Sequence, residues 1–343
     1  NHYLFDLNRD WTWATQPETR ARLIVWGRFN PQVHVDFHEM GYNSTYFFFP
    51  AAEPLNPIYP DYTVRWAEYF GRANAREFDG RRWLYYTGET FDMFYPGFGD
   101  SWPSLVGAIG MTYEQAGSGG AGLAVRRRDG TVLSLRDRAT HHRVAGLSTL
   151  RAMAGRKTEL LQEFAAFHRT QGDGQPDVLL VPGPDSTAVQ SLVAALQTQG
   201  VSVDRSTRPF RAAARPHPGF DSREDFPVGT LRVRARQARG RLAVTLMQPE
   251  TLLADGISST YDITAWSLPY AYGVEAHSTD EVTEAGFELL PAMAEDRATQ
   301  VQPGAYGWLV PPTYRVAGPL YRFVAAGGRA FAIPAEFQVS GMS

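Results

Sequence analysis

The stretch Pro31-Gln-Val-His-Val-Asp-Phe-His-Glu-Met-Gly41 decides how the early part of this sequence folds. Three apolar residues alternate in it with His34, Asp36 and His38, which is the period-two pattern of a half-buried strand. We therefore expect a strand from Gln32 to Phe37 that carries the polar side chains on one face, with the chain turning away from the sheet after His38. An imidazole at a strand end is a suitable zinc ligand, and a nearby carboxylate can orient it.

Two histidines of this strand compete for the metal-binding role. They are four residues apart, which is about 13 Å along a regular strand, so both cannot bind one ion. We assign the role to His38, because it lies at the strand end, where loop residues can join it. His34 is then expected to be a buried, hydrogen-bonded histidine.

The composition excludes several classes of function. The chain has 343 residues, 43% of them hydrophobic, and a formal net charge of -3, so it can bury a large core and shows no basic stripe for nucleic acid. It has no cysteine, which excludes disulfides, thiolate zinc sites and cysteine nucleophiles. Its apolar runs are too short for a membrane span. The compartment stays open, and we lean towards a periplasmic or secreted location.

Local patterns divide the chain into an aromatic-rich first unit and an α/β second unit. In the first unit we expect a helix start at Pro17, a helix Asp61–Ala75, a strand Ile109–Gln115, a hairpin around Asp129-Gly130 and helices from Arg138 to about His168. In the second unit we expect a strand Asp177–Val181, a helix Thr187–Gln199, a strand from Val201, and two more strands over Thr230–Arg236 and Arg241–Met247. This order predicts a doubly wound, flavodoxin-like sheet.

Two further motifs carry polar groups that could act on a substrate. Asn8 and Arg9, in Asp6-Leu-Asn-Arg9, could hold a carboxylate through charge-assisted hydrogen bonds. The alternative is a surface Arg9 paired with a neighbouring aspartate. Glu114 ends an otherwise apolar strand and could act as a general base, or it could simply be a solvated glutamate.

Taken in order, these motifs resemble the zinc carboxypeptidases of the carboxypeptidase A type, and large bacterial members in particular. The matching segments are Asp6-Leu-Asn-Arg9, Phe37-His38-Glu-Met-Gly41 and Thr112-Tyr-Glu114-Gln. The resemblance implies a zinc-dependent metallocarboxypeptidase in which Asn8 and Arg9 bind the C-terminal carboxylate of a peptide substrate. It also implies that His38 is the third Zn²⁺ ligand and Glu114 the base.

The resemblance covers roughly residues 1–145 and leaves part of the family's site unmatched. It implies that residues 1–150 form the C-terminal part of a mixed-sheet carboxypeptidase domain, with Tyr95, or else Tyr86, as the substrate-clamping tyrosine. The His-x-x-Glu motif with the family's other two zinc ligands does not occur in this sequence. We therefore expect an N-terminally truncated chain that cannot bind zinc tightly or act alone.

The second unit resembles an accessory domain of such enzymes. Residues 151–278 resemble the glutamine amidotransferase-like fold, and the segment Tyr261–Pro269 resembles one in large bacterial carboxypeptidases. Without a cysteine nucleophile we expect this domain to be non-catalytic, and residues 279–343 to form a further, unassigned segment.

Two other functions remain open from the sequence. The first is a degenerate, non-catalytic module that binds peptides or glycans. The second is a zinc-dependent deacylase of N-acyl amino acids. Neither of two further patterns is expected to form a site: His141-His142 is predicted to lie on a solvated helix face, and Gly117–Gly122 to be a turn, since a hairpin and not a helix follows it.

Overall fold

The chain folds into a mixed α/β architecture, seen in a computed structural model that describes residues 4–118, 120–253, 255–257, 260–261, 265–281, 286–292, 307–310 and 312–333. A 3₁₀ turn over Leu7–Arg9 comes first. The helices in these ranges are α1 (Pro17–Phe29), α2 (Asp61–Asp79), α3 (Ser101–Leu105), α4 (Leu135–Gly155), α5 (Lys157–Arg169), α6 (Ser186–Thr198), α7 (Gly240–Met247), α8 (Leu268–Tyr272) and α9 (Ala317–Ala325).

The strands of the described residues form two larger sheets and three short two-stranded ribbons. Those of the first unit are β1 (Val33–Gly41), β2 (Tyr46–Phe47), β3 (Ala52–Leu55), β4 (Tyr85–Tyr86), β5 (Asp92–Met93), β6 (Ile109–Ser118), β7 (Ala124–Arg126) and β8 (Val132–Ser134). Those of the second unit are β9 (Asp177–Val181), β10 (Asp204–Ser206), β11 (Phe210–Arg211), β12 (Arg215–Pro216), β13 (Asp225–Phe226), β14 (Leu231–Val233), β15 (Glu275–Thr279) and β16 (Phe287–Leu289).

The sheet of the first unit has the order β1-β6-β2-β4, and β1 runs parallel to β6. The two strands stay in register from Val33 opposite Ile109 to Met40 opposite Ala116, with an irregularity only before Gly41. The prediction that the chain leaves the sheet after His38 is therefore wrong. Pairing with the long strand β6 keeps β1 extended for three more residues.

Strand β6 is the centre of this unit, and its residues are buried up to Gly117. Helices α2 and α4 pack on it, and α3 lies against its beginning. At Gly110 the carbonyl of Asp100 comes so close that any Cβ would collide with it. This glycine allows the segment that precedes α3 to lie directly on the strand, and it thereby brings Asp100 to the sheet.

The sheet of the second unit has the order β12-β15-β9-β14-β10-β16, and each of its pairings is antiparallel. Strand β9 and helix α6 follow the expected order, but β14 lies between β9 and β10, so these parallel strands do not pair. The flavodoxin-like and amidotransferase-like assignments are not confirmed by this pairing. The coarser prediction of a mixed α/β chain is confirmed.

One predicted strand of the second unit is a helix. Residues Arg241–Met247 belong to α7, where Leu242, Ala243, Leu246 and Met247 are buried. Positions i, i+1, i+4 and i+5 share one face of a helix, so the apolar run fits the period of a helix better than that of a strand. The predicted hairpin, by contrast, is confirmed by β7 and β8.

Buried side chains of the two units form one continuous apolar cluster. The Gln199 amide joins the units: it donates to the carbonyls of Trp11 and Thr12 and accepts from the Trp102 indole. This contact between distant residues fixes the position of the segment that directly follows Asn8 and Arg9. In the described ranges no helix is long and apolar enough to cross a bilayer.

Candidate functional site

The parallel pairing of β1 and β6 places His38 directly opposite Glu114. Asp36 lies opposite Thr112 in the same register. Neighbouring parallel strands point opposed residues to the same face of the sheet. His38 and Glu114 are 76 positions apart in the sequence, and they lie side by side in the sheet. The resemblance had assigned both residues to one site.

His38 is held by the carboxylate two residues before it. Its Nε2 lies 2.8 Å from Asp36 Oδ2. This contact raises the pKa of His38, against the effect of burial and with help from the charges of Glu114 and Asp100. Burial acts to raise the pKa of Asp36, yet His38, His34 and Arg22 together hold it below its usual value. Asp36 therefore orients the imidazole from its Nε2 side.

Glu114 is a buried carboxyl group and not a solvated one. It is 8% exposed, and its Oε2 has no hydrogen-bond partner among the described residues. Burial raises its pKa to about 7; the nearby His38 opposes this rise, and the charges of Asp36 and Asp100 add to it. A carboxyl group with this pKa can both accept and return a proton near neutral pH. The alternative prediction, that Glu114 is simply a solvated glutamate, is therefore not supported.

Asp100 is the third acidic residue near His38, after Asp36 and Glu114. It is 4% exposed, and burial raises its pKa to about 6. The Thr112 hydroxyl donates to its Oδ2 at 2.8 Å and the Ser101 hydroxyl to its Oδ1 at 3.0 Å. Because Thr112 lies opposite Asp36, Asp100 belongs to the same cluster of charges. The sequence analysis did not identify this residue.

The loop before Asp100 connects the cluster to Asn8. The Gly99 amide donates to Asn8 Oδ1 at 2.7 Å, and a Cβ at Gly99 would collide with Asp36 Oδ2. Asn8 itself sits in the 3₁₀ turn that Asp6 caps by accepting its backbone amide. A side chain at position 99 would therefore have to displace the Asp36 carboxylate where the Asn8 turn, the loop and β1 meet. The two glycines of Gly97-Phe-Gly99 are the only sequence signal of this loop.

Arg9 lies at the open side of the same region. Its guanidinium is 4.6 Å from the ring centre of Phe98 and 6.0 Å from that of Tyr261, and it forms a 3.4 Å contact with Asp6. Its side chain is 24% exposed. Its guanidinium also donates to the Asn8 carbonyl at 3.3 Å, and the aromatic faces help to keep it in place. This geometry is compatible with both predictions for Arg9. The side chain could bind a substrate carboxylate, or it could pair with a neighbouring aspartate.

Tyr95 lies next to this site but has a supporting position. It is 1% exposed, and its hydroxyl donates to the carbonyl of Arg9 at 2.8 Å. Tyr86 is half-buried, and its hydroxyl reaches the sulfur of Met40. Tyr95 therefore holds the Arg9 backbone in this structure, and its assignment as a substrate clamp stays a prediction.

The two adjacent histidines of α4 are not on a solvated face, so that prediction is wrong. Nδ1 of His142 lies 2.7 Å from the Tyr46 hydroxyl, and its Nε2 lies 3.2 Å from the carbonyl of His38. His141 contacts the side-chain oxygen of Gln115 at 2.8 Å. Both imidazoles face the sheet, because α4 packs on β6 across these positions. They hold β1 and β6 in place from the side of the sheet on which α4 packs.

A complete set of zinc ligands is not found among the residues that the structure describes. No group of three histidine, aspartate or glutamate side chains placed to bind a metal occurs in the described ranges. A catalytic zinc site needs three protein ligands. His38, oriented by Asp36, has the chemistry of one such ligand. A zinc ion beside His38 would need two further ligands, and the described ranges do not place them there.

Comparison with known proteins adds no relative to this description. No protein-family model, no curated protein and no solved structure matches the chain. The argument for function therefore depends on the arrangement of side chains around His38 and Glu114.

Proposed function

We propose that this chain contributes the proton-transfer and carboxylate-binding part of a zinc-dependent carboxypeptidase site, which acts on peptide C-termini. The observation that carries the proposal is the register of β1 and β6, which sets Glu114 beside His38 and its Asp36 partner. A buried general base next to an oriented imidazole is suited to hydrolysis of an acyl bond. Zinc, when bound with the help of further ligands, would supply a Lewis acid at this position.

The roles of the residues follow from their surroundings. Glu114, with a pKa of about 7, would take a proton from the attacking water and return it to the leaving amine. Arg9 would pair with the terminal carboxylate of the substrate, and Asn8, fixed by Gly99, would position the turn that carries Arg9. Tyr95 would keep the Arg9 backbone from moving.

The test uses zinc-loaded protein and compares Glu114→Gln with the exposed Glu89→Gln as a matched control. Loss of general acid–base catalysis predicts a fall in kcat of about a hundredfold to ten-thousandfold for Glu114→Gln. Bound zinc, measured by atomic absorption, should be unchanged, and Glu89→Gln should act as wild type. Activity of Glu114→Gln within about tenfold of wild type would show that Glu114 is not the base.

The substrate class is tested with matched peptides that differ only at the C-terminus. A carboxypeptidase should cleave the free acid and not the amide, and Arg9→Met should raise KM for the acid. Hydrolysis of N-acyl amino acids without cleavage of peptides would instead establish the deacylase. Peptide binding without any hydrolysis would establish the non-catalytic module.

A zinc titration tests the contribution of this chain alone. Since the described residues supply one imidazole ligand, we expect no stoichiometric zinc binding in competition with a chelating dye of about micromolar affinity. Tight binding by the chain that is lost in His38→Ala would contradict the proposed division of the ligands.

A further inference from the structure

Two aromatic residues of the second unit, Tyr261 and Trp266, contact the segment of the first unit that surrounds Arg9. The backbone amide of Tyr261 donates to Oδ2 of Asp92 in β5. Asp92 is buried, and its Oδ1 accepts the Phe94 amide at 3.0 Å. Because a buried carboxylate depends on such donors, the contact ties Tyr261 to the loop between β5 and α3.

The Trp266 ring packs on the same loop. Its centre lies 5.6 Å from that of the Phe94 ring and 6.0 Å from that of the Tyr95 ring. The Tyr95 hydroxyl in turn donates to the carbonyl of Arg9. Trp266 therefore supports the residue that holds the Arg9 backbone.

The ring of Tyr261 lies beside the Arg9 side chain. Its centre is 5.3 Å from that of the Phe91 ring and 6.2 Å from that of the Phe98 ring. The Arg9 guanidinium lies 4.6 Å from the ring centre of Phe98 and 6.0 Å from that of Tyr261. A guanidinium is attracted to aromatic faces at these distances. Two rings, one from each unit, thus border the same cation.

Tyr261 is also close to the region of Glu114. Burial raises the pKa of Tyr86; the Thr90 hydroxyl opposes this rise, and the charges of Glu114 and Tyr261 add to it. Both groups therefore act on the same phenol. The Tyr261 side chain is 49% exposed, so a ligand bound by Arg9 has access to its ring.

We propose that the second unit completes the carboxylate-binding part of the site, with Tyr261 as a positioning residue for Arg9. The Tyr261 and Phe98 rings orient the guanidinium before a ligand arrives. An arginine side chain that is already oriented loses less conformational freedom on binding, which increases its affinity for a carboxylate. The inference rests on the function proposed above, because it takes Arg9 as the carboxylate anchor.

The test measures calorimetric binding of acetyl-trialanine, which has a free C-terminal carboxylate, and of its amide to the full chain. Wild type should bind the acid more tightly than the amide, and Arg9→Met should remove that difference. Tyr261→Leu should weaken binding of the acid by about two- to fivefold, which corresponds to one cation–π contact at an exposed site. Its binding of the amide should equal that of wild type.

Three further variants separate positioning from general packing. Tyr261→Phe keeps the ring and should bind the acid as wild type does. Tyr321→Leu, at an exposed tyrosine of α9, is the matched control and should also bind as wild type. In the Arg9→Met background, Tyr261→Leu should have no further effect, since the double-mutant cycle isolates the contact between the two side chains.

Failure of this inference and failure of the proposed function give different results. If Arg9→Met binds the acid as wild type does, Arg9 is not the carboxylate anchor, and both are overturned. If Arg9→Met weakens binding but a folded Tyr261→Leu does not, only the role of Tyr261 is overturned. That role is also overturned if Tyr261→Leu affects acid and amide equally, or if its effect persists in the Arg9→Met background.

A measurement on the wild-type chain decides if Tyr261→Leu does not fold. In a chain labelled with ¹³C in its tyrosine rings, the Tyr261 signal, assigned through Tyr261→Phe, should shift to saturation with the acid and not with the amide. The Tyr321 signal should stay in place. A Tyr261 signal that does not respond to the acid, or that responds equally to both ligands, would overturn the inference.

Discussion

Replacing Glu114 by glutamine should stabilise the chain, and the gain should grow with pH. The usual pKa of a glutamate is 4.5, and burial raises that of Glu114 to about 7. A carboxyl group with a raised pKa in the folded chain stabilises the fold when protonated, and this contribution is lost as the pH rises through the folded value. At 1.36 kcal/mol per pKa unit, ionised Glu114 costs the folded chain about 3 kcal/mol above pH 7.

Glutamine keeps the shape of the side chain and cannot ionise, so the variant avoids this cost. We expect Glu114→Gln to exceed wild type in free energy of unfolding by about 1 kcal/mol at pH 5 and about 3 kcal/mol at pH 8. The assay is urea unfolding at both pH values with EDTA present, so that no cation lies beside the carboxylates. The exposed Glu89→Gln serves as the control and should show no such trend. A difference between Glu114→Gln and wild type that is the same at both pH values would refute the buried, proton-holding environment.

Two further predictions concern the fixed geometry around the site and the second unit. Gly110→Ala should destabilise the chain by about 1–3 kcal/mol in urea unfolding, because its Cβ would collide with the backbone carbonyl of Asp100. Gly27→Ala, with open space around it, should be neutral or slightly stabilising, and equal stability of the two variants would count against the tight packing. Asp204→Asn should cost about 3 kcal/mol, because Asp204 and Arg232 form a buried ion pair at 3.0 Å and loss of one partner leaves a buried charge. The exposed Asp225→Asn should stay within about 0.5 kcal/mol of wild type, and a similarly small effect of Asp204→Asn would argue against that pair.

Local patterns predicted several elements well. The helix beginning at Asp61, the strand beginning at Ile109 and the β7–β8 hairpin follow from periodicity and turn residues, which act over a few neighbouring positions. The wrong prediction of a strand over Arg241–Met247 also came from considering only neighbouring positions. A short apolar run fits either a buried strand or a buried helix, and only its neighbours in space select one.

The second sheet shows where local patterns reach their limit. The order of β9, α6 and β10 is visible in the sequence, and it predicts that the two strands lie in one sheet. Insertion of β14 between them comes from a segment more than twenty residues further on. Periodicity does not specify which strands pair, since that choice depends on the packing of whole faces.

For the candidate site, the sequence by itself determined the chemical groups: a histidine on a polar strand face, a glutamate at the end of an apolar strand and an asparagine–arginine pair. Tertiary structure alone decided that His38 faces Glu114, that Asp100 joins them and that Gly99 ties the cluster to Asn8. It also decided that Glu114 holds its proton near neutral pH. Proximity and desolvation come from contacts between residues tens of positions apart, and burial by those contacts is the main cause of the raised pKa of Glu114.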